Sequence, residues 1–264
     1  MSDVHPAAAR GFGRNTDTYV RGRPDFPPAA LDWLKDDLGL GPGKRVIDLG
    51  AGTGKFTRVL VETGATVTAI EPVTAMLERL TRDLPGVTAL QGEAQNLPLP
   101  DSAADAVVCA QAFHWFASAD SLAEIRRVLK PGGLLGLIWN IRDESVDWVA
   151  RLTRIMEPYE GDAPRYYREE WRALFPARGF ADLRQRTFAH AHVGPPEQVI
   201  VDRVASVSFI AALDDKTRAT VLGQVRALIA ATPAIAAADT VCLPYVTHAY
   251  VTRRIRAAHV TMDF

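Results

Sequence analysis

Two carboxylates and a cluster of glycines carry the strongest chemical signal in this sequence. Asp48 lies inside the run Val46-Ile47-Asp48-Leu49-Gly50-Ala51-Gly52-Thr53-Gly54, and Glu71 follows it 23 positions later. Glycines leaving a strand permit positive φ and let the backbone approach a ligand at the next helix N-terminus. An acid that ends the second strand can accept two hydrogen bonds from vicinal ribose hydroxyls. Three cofactor classes use such a turn, and spacing separates them. A phosphate-cradling GxxxxGK[ST] loop would need Gly where Leu49 stands and Ser or Thr where Phe56 stands. A dinucleotide GxGxxG turn would need its third Gly at Lys55. The turn therefore suits an adenosyl group that carries no pyrophosphate.

Other reactive side chains are more scattered. His114, in Phe113-His114-Trp115-Phe116, follows an apolar run and is a candidate to take a proton or orient a reacting group. Its alternative is a hydrogen bond to neighbouring backbone. Trp115, Trp139, Trp148, Tyr166, Tyr167 and Trp171 could together enclose a small ligand, or could pack in the core. Arg142 and His190 are candidate anchors for an acidic ligand. Their alternative is an ordinary exposed or core-satisfied position. No His, Cys or carboxylate group shows metal-ligand spacing, so no metal is expected.

The elements that must position these residues can be read from periodicity. Helical spacing covers residues 29–38, 55–63, 74–83 and 118–129, and apolar runs cover 44–49, 65–71, 87–91, 105–110 and 134–139. Lys130-Pro131-Gly132-Gly133 should stop the fourth helix. Strands alternating with helices predict a doubly wound α/β unit with helices on both faces of a parallel sheet. Beyond residue 140 the pattern predicts helices at 146–156, 165–175, 198–213 and 214–231, with strands at 183–193 and 241–252. The later helices should pack on the sheet edge or over its carboxyl end, where open α/β sheets bind ligands.

Composition narrows the partners. The 264 residues hold 30 Lys and Arg against 31 Asp and Glu, a net charge of −1 that offers no broad attraction to a nucleic-acid backbone. A 48 % hydrophobic content supports a sizeable core. The longest stretch free of charged residues, 106–119, is too short and too polar to span a bilayer. Residues 1–10 lack the basic start and apolar core of a signal peptide, and Cys109 and Cys242 are far apart in apolar contexts. A cytoplasmic protein with reduced thiols, binding neither membrane nor nucleic acid, is expected. No heptad or isolated apolar stripe marks a dimer interface.

At these motifs the sequence resembles the Rossmann-like, class I S-adenosylmethionine-dependent methyltransferases, within their small-molecule subgroup. The likeness rests on the glycine turn with Ile70-Glu71-Pro72, Gly92-Glu93-Ala94-Gln95-Asn96-Leu97-Pro98, Asp105-Ala106-Val107-Val108 and Leu129-Lys130-Pro131-Gly132-Gly133. Phe12, Tyr19 and Arg23-Pro24-Asp25-Phe26-Pro27, with the FHWF stretch, are similar to a subgroup that includes trans-aconitate-like carboxyl methyltransferases. The resemblance implies a seven-stranded α/β sheet with a helical cap, forming a single methyltransferase domain over 1–264. Its parts would be an N-terminal entrance segment (1–40), a cofactor-binding core (41–140), substrate and cap elements with strand 6 (141–240), and a terminal strand (241–264).

The same resemblance implies residue roles. Gly50 and Gly52 would line the methionine part of S-adenosylmethionine, with Asp48 holding the turn or reaching the ammonium through water. Glu71 would bind the ribose, Glu93 and Ala94 would face the adenine, and Gln111 would present its carbonyl to the ammonium. Tyr19 and Arg23 would cover the cofactor carboxylate or the substrate, and Trp115, Trp139, Tyr166 and Tyr167 would line the substrate pocket. Gln111-Ala112-Phe113-His114 is not the [DN]PP[FY] arrangement associated with methylation of adenine or glutamine amide nitrogen, and Cys109 lacks the preceding Pro of cytosine carbon methylation. A small acceptor methylated on a hydroxyl or carboxylate oxygen is the expected substrate, with His114 as the catalytic candidate. The alternatives are a protein of the same fold that binds the cofactor without transferring methyl, and, disfavoured by Lys55, a nicotinamide enzyme.

Overall fold

The computed structural model describes residues 22–255. Its first half follows the predicted alternation: α1 (Pro28–Asp36), β1 (Arg45–Leu49), α2 (Lys55–Glu62), β2 (Thr66–Ile70), α3 (Thr74–Asp83), β3 (Thr88–Leu90), β4 (Ala104–Ala110), α4 (Ala119–Val128) and β5 (Leu129–Arg142). Then come α5 (Asp147–Met156), β6 (Arg184–Gly194), α6 (Asp215–Ala230) and β7 (Val241–Arg253). The seven strands form one sheet in the order β3-β2-β1-β4-β5-β7-β6. Strands β1 to β5 are parallel, and β7 runs antiparallel between β5 and β6.

Alternating side chains give the sheet two buried faces. Val46 and Val108 pack beneath α1 and α2 with Trp33, Leu34, Phe56 and Leu60. Ile47, Leu49 and Val107 turn to the opposite face, where Leu122 and Ile125 of α4 cover them. A third apolar cluster joins α5 and α6 to residues 199–210 and to Leu243 and Tyr245 at the start of β7. Tyr245 pairs with Arg142 at the end of β5, so this helical cap sits at the carboxyl ends of the parallel strands. Because β7 starts there, it must run back antiparallel.

Three local expectations change. Residues 165–175 do not form a helix; they form two 3₁₀ turns, Tyr166–Arg168 and Arg172–Leu174. Glu169 between them has φ +55°, which no α-helix accommodates, and the break lets Trp171 drop into the core with its Nε1–H donating to the Tyr166 carbonyl at 3.0 Å. Residues 198–213 are likewise divided, into a π-helical turn Glu197–Asp202 and short helices Arg203–Ala205 and Ser208–Ala211. Extended Val207 makes the second break and is followed by buried Ser208, Phe209 and Ile210. Lys130 to Gly133 do not precede β5; they open it as a bulge opposite Ala104 to Ala106.

Candidate functional site

The carboxyl ends of β1, β2, β4 and β5 converge with the cap on one cleft of about 1630 Å³, its open mouth included. At one end lies the glycine turn. Gly50 has φ +74° and Gly52 φ +58°, and a Cβ on Gly50 would stand 2.6 Å from the Cβ of Ala112. Only glycine allows both the left-handed backbone and this close approach. The Ile70 carbonyl accepts from the backbone N–H of Gly50 (2.9 Å) and Ala51 (3.1 Å), which ties the turn to the end of β2.

Glu71 directly follows β2 and is 5 % exposed. Its Oε2 accepts from the Gly52 N–H at 2.8 Å and its Oε1 from the Val73 N–H at 3.0 Å. Each oxygen keeps a lone pair, and the side chain lines the cleft. Burial pushes its carboxyl above the usual range, opposed by those two N–H bonds. Asp48 lies behind the turn in an adjoining recess and is fully buried. Its Oδ2 accepts from the Thr57 hydroxyl at 2.6 Å, while Oδ1 has no partner among the described residues. Burial drives Asp48 up to about 7, with the Thr57 bond opposing and the charge of Glu71 adding.

The other expected cofactor residues lie along the same wall. Glu93 and Ala94 line the cleft beside Glu71. Gln111 ends β4 in a left-handed conformation, φ +59°, and its Nε2 donates to the Asn140 carbonyl at 3.3 Å. Asn140 in turn donates to the Asp25 carbonyl (2.9 Å) and accepts from Thr247 (2.7 Å), so β5 and β7 hold the residue that holds Gln111. Arg23 lines both recesses and donates to the Ser206 carbonyl at 3.1 Å. Tyr19 lies outside the described residues.

His114 lines the cleft on a 3₁₀ turn (Phe113–Trp115), and its Nδ1 accepts from Trp139 Nε1–H at 3.0 Å. An indole nitrogen only donates, so Nδ1 carries no proton and the neutral ring must carry its hydrogen on Nε2. Burial, then Arg165 and Arg23, pushes His114 down to about 3. The ring in this state is a hydrogen-bond donor and cannot take a proton from a substrate. Of the two roles expected from sequence, this arrangement favours orienting a group over deprotonating one. In Trp139→Phe the imidazole ¹⁵N spectrum should show His114 leaving the pure Nε2–H tautomer; an unchanged spectrum would disprove the lock.

The same cleft is also lined by aromatic and cationic side chains. Trp115, Trp139, Tyr166 and Tyr167 all line it, although Trp139 is also fully buried in the core against Trp171 (ring centroids 4.7 Å apart). The Tyr166 hydroxyl bonds His248 Nδ1 (2.8 Å) and Tyr250 (2.6 Å), and Tyr167, 56 % exposed at the rim, donates to Glu160. Arg142, Arg165 and Arg203 line it as well. His190 is not part of the cleft lining; its Nε2 meets the Asp25 carbonyl at 2.6 Å.

Comparison with known proteins gives this site a family. Residues 47–137 match the model described as a methyltransferase domain. An uncharacterized methyltransferase of Mycobacterium tuberculosis is 42 % identical over 236 residues, covering 89 % of this chain and 92 % of that protein. The chain belongs to the class I S-adenosylmethionine-dependent methyltransferases. The fold of this methyltransferase is shared with the YcgJ protein of Bacillus subtilis (TM-score 0.56, 18 % identity, 86 % of this chain and 99 % of that one). It is also shared with a Haemonchus contortus phosphoethanolamine N-methyltransferase solved with phosphomonomethylethanolamine and S-adenosylhomocysteine (TM-score 0.57, 16 % identity, 97 % of this chain and 61 % of that one).

Several residues of the methyltransferase cleft were not legible in its sequence. Arg165, Arg203 and Ser208 sit in cap segments whose periodicity predicts continuous helices, whereas the chain there forms irregular turns that set where these side chains point. Asn140 could have been found, being a polar residue at the end of an apolar run. The positive φ of Gln111 left no trace in residue type.

Proposed function

We propose that this methyltransferase methylates an oxygen, hydroxyl or carboxylate, of a small acceptor, and that the donor occupies the glycine-turn end of the cleft. The observation that carries this reading is a single cleft lined both by Gly50, Gly52 and Glu71 and by His114, the aromatic residues and the arginines. Bound S-adenosylmethionine would supply the methyl carbon: a C–O bond forms as the C–S bond breaks, the electron pair of that bond stays on sulfur, and a hydroxyl acceptor gives its proton to water before the transfer because His114 does not take it.

The residues present fit the donor. The space in front of Gly50 and Gly52 accepts a chain against bare backbone, Asp48 offers an unpartnered buried oxygen to an ammonium, and Glu71 offers two lone pairs to ribose hydroxyls. Glu93 and Ala94 stand where an adenine would lie, with a carboxylate to accept from its amine. The S-adenosylhomocysteine bound in the Haemonchus structure of the same fold supports the assignment. In-line transfer needs alignment and exclusion of water more than proton transfer, and a carboxylate acceptor needs no base. His114, as an Nε2–H donor, orients such an acceptor without deprotonating it. We place the cap in the role of acceptor side and the N-terminal half in the role of donor side.

Calorimetry with S-adenosylhomocysteine should give a dissociation constant well below millimolar, and no binding at millimolar concentration would end this reading. Incubation of S-adenosylmethionine with a panel of carboxylic acids and phenols, read by mass spectrometry, should show a gain of one methyl group on an oxygen.

A further inference from the structure

Among the described residues, the cationic part of the cleft has more buried donors than the protein occupies. Arg142 leaves β5 with Nη2 donating to Thr153 Oγ1 at 3.2 Å, while its Nε, shut off from water, has no partner among the described residues. Arg165 stacks over the Phe209 ring at 4.2 Å, and its Nε and Nη2 are both buried without a hydrogen bond. Arg203 spends its Nε on the Tyr245 hydroxyl (3.1 Å) and leaves Nη1 unpartnered. Ser208, 1 % exposed and lining the same cleft, has an unpartnered hydroxyl.

The acids nearby do not answer this demand. Glu160 lies 3.6 Å from Arg165 Nε but is already shared with Arg168 (2.8 Å) and the Tyr167 hydroxyl. Glu144 accepts from Thr153 at 2.7 Å and is exposed. Burial, with the charges of Arg203 and Arg165 adding, lowers Arg142 to about 10, and Tyr245 and Glu144 offset this only in part. Buried guanidinium N–H groups without acceptors are costly, and an anion in the cleft would supply the acceptors they lack.

We infer that Arg142, Arg165 and Ser208, with Arg203 at their border, form an anion subsite that holds the acceptor through a carboxylate or phosphate group. Arg203 also lines the recess behind the glycine turn, whereas Arg142, Arg165 and Ser208 line the large cleft and not that recess. Arg142 ends β5 and Arg165 and Ser208 belong to the cap, the part of the cleft that the donor reading leaves to the acceptor, and the planar forks of Arg142 and Arg165 suit a two-oxygen anion. The aromatic residues that line the same cleft then offer an apolar surface to the body of the acceptor. This inference rests on the proposed donor site and specifies what binds opposite it.

Protein saturated with S-adenosylhomocysteine, titrated calorimetrically with benzoate, phenyl phosphate and the neutral benzamide, tests it. At least one anion should bind tenfold or more tighter than benzamide, and the preferred one identifies carboxylate or phosphate chemistry. Arg142→Gln and Arg165→Gln should each weaken that anion about tenfold or more while S-adenosylhomocysteine affinity stays within about twofold, which also certifies folding. Arg165→Lys should recover part of the loss. Equal binding of benzamide, an anion response that survives both Gln variants, or no anion binding at 10 mM would overturn the subsite. If S-adenosylhomocysteine itself fails to bind, the donor reading falls, and the same titrations on the protein alone still decide the subsite.

Discussion

Glu71→Ala should weaken S-adenosylhomocysteine binding about 30- to 1000-fold, the roughly 2 to 4 kcal/mol carried by two charge-assisted hydrogen bonds. The side chain works on two sides at once. Its oxygens hold the N–H groups of Gly52 and Val73, and the remaining lone pairs face the cleft. Alanine removes the ligand's acceptor and also frees the Gly52 N–H, so the turn loses part of its restraint. The unliganded protein should suffer less, because burial already penalises the Glu71 carboxylate and its removal relieves that penalty. Glu71→Gln keeps one acceptor oxygen and should fall between wild type and alanine. Calorimetry beside thermal unfolding checks both parts; unchanged affinity in Glu71→Ala would refute the ribose assignment.

S-adenosylhomocysteine affinity should rise about 30- to 100-fold between pH 5 and pH 8 and then level off. Asp48 has its carboxyl raised to about 7 in the unliganded fold, mainly by burial. An ammonium near its Oδ1 requires the carboxylate, so binding below pH 7 must expel a proton at about 1.4 kcal/mol per pH unit. His114, lowered to about 3, stays neutral across this range and does not contribute. Glu71 is shifted in the same direction and adds with the same sign. In Asp48→Asn the Asp48 share of the slope should vanish and affinity at pH 8 should drop.

Stability of the unliganded protein carries the opposite dependence. A carboxyl whose folded pKa is raised stabilises the fold below its unfolded pKa, near 4, and that stability is lost as pH rises through about 7. Thermal unfolding should therefore show the wild type losing stability from pH 4 to 7 relative to Asp48→Asn, with the ligand restoring it most strongly at pH 8. A flat binding profile in the wild type would disprove the Asp48 assignment.

The donor half of the site was legible because its signals are local. Positive φ at Gly50 and Gly52 demands glycine, an acid must follow β2 for its oxygens to reach the Gly52 N–H, and the strand-helix alternation sets the spacing between them. Thr74–Asp83 forms as its periodicity predicts for the same reason. The cap was less legible. Its helices at 165–175 and 198–213 were expected from apolar periodicity, but burial of Trp171 against β5 and β7 and of Phe209 in the cluster with the start of β7 accompanies a break in each.

By itself, the order of residues determined the doubly wound sheet, the class of cofactor turn and the position of the acids beside it, because each depends on neighbours within a few positions or on one strand-to-strand repeat. Only the tertiary structure decided that Trp139 makes His114 a donor, and that Arg142, Arg165 and Arg203, more than sixty positions apart at their extremes, face one cleft. Those relations arise where β5, the cap and the start of β7 meet, and no local propensity encodes which side chains a long-range packing brings together.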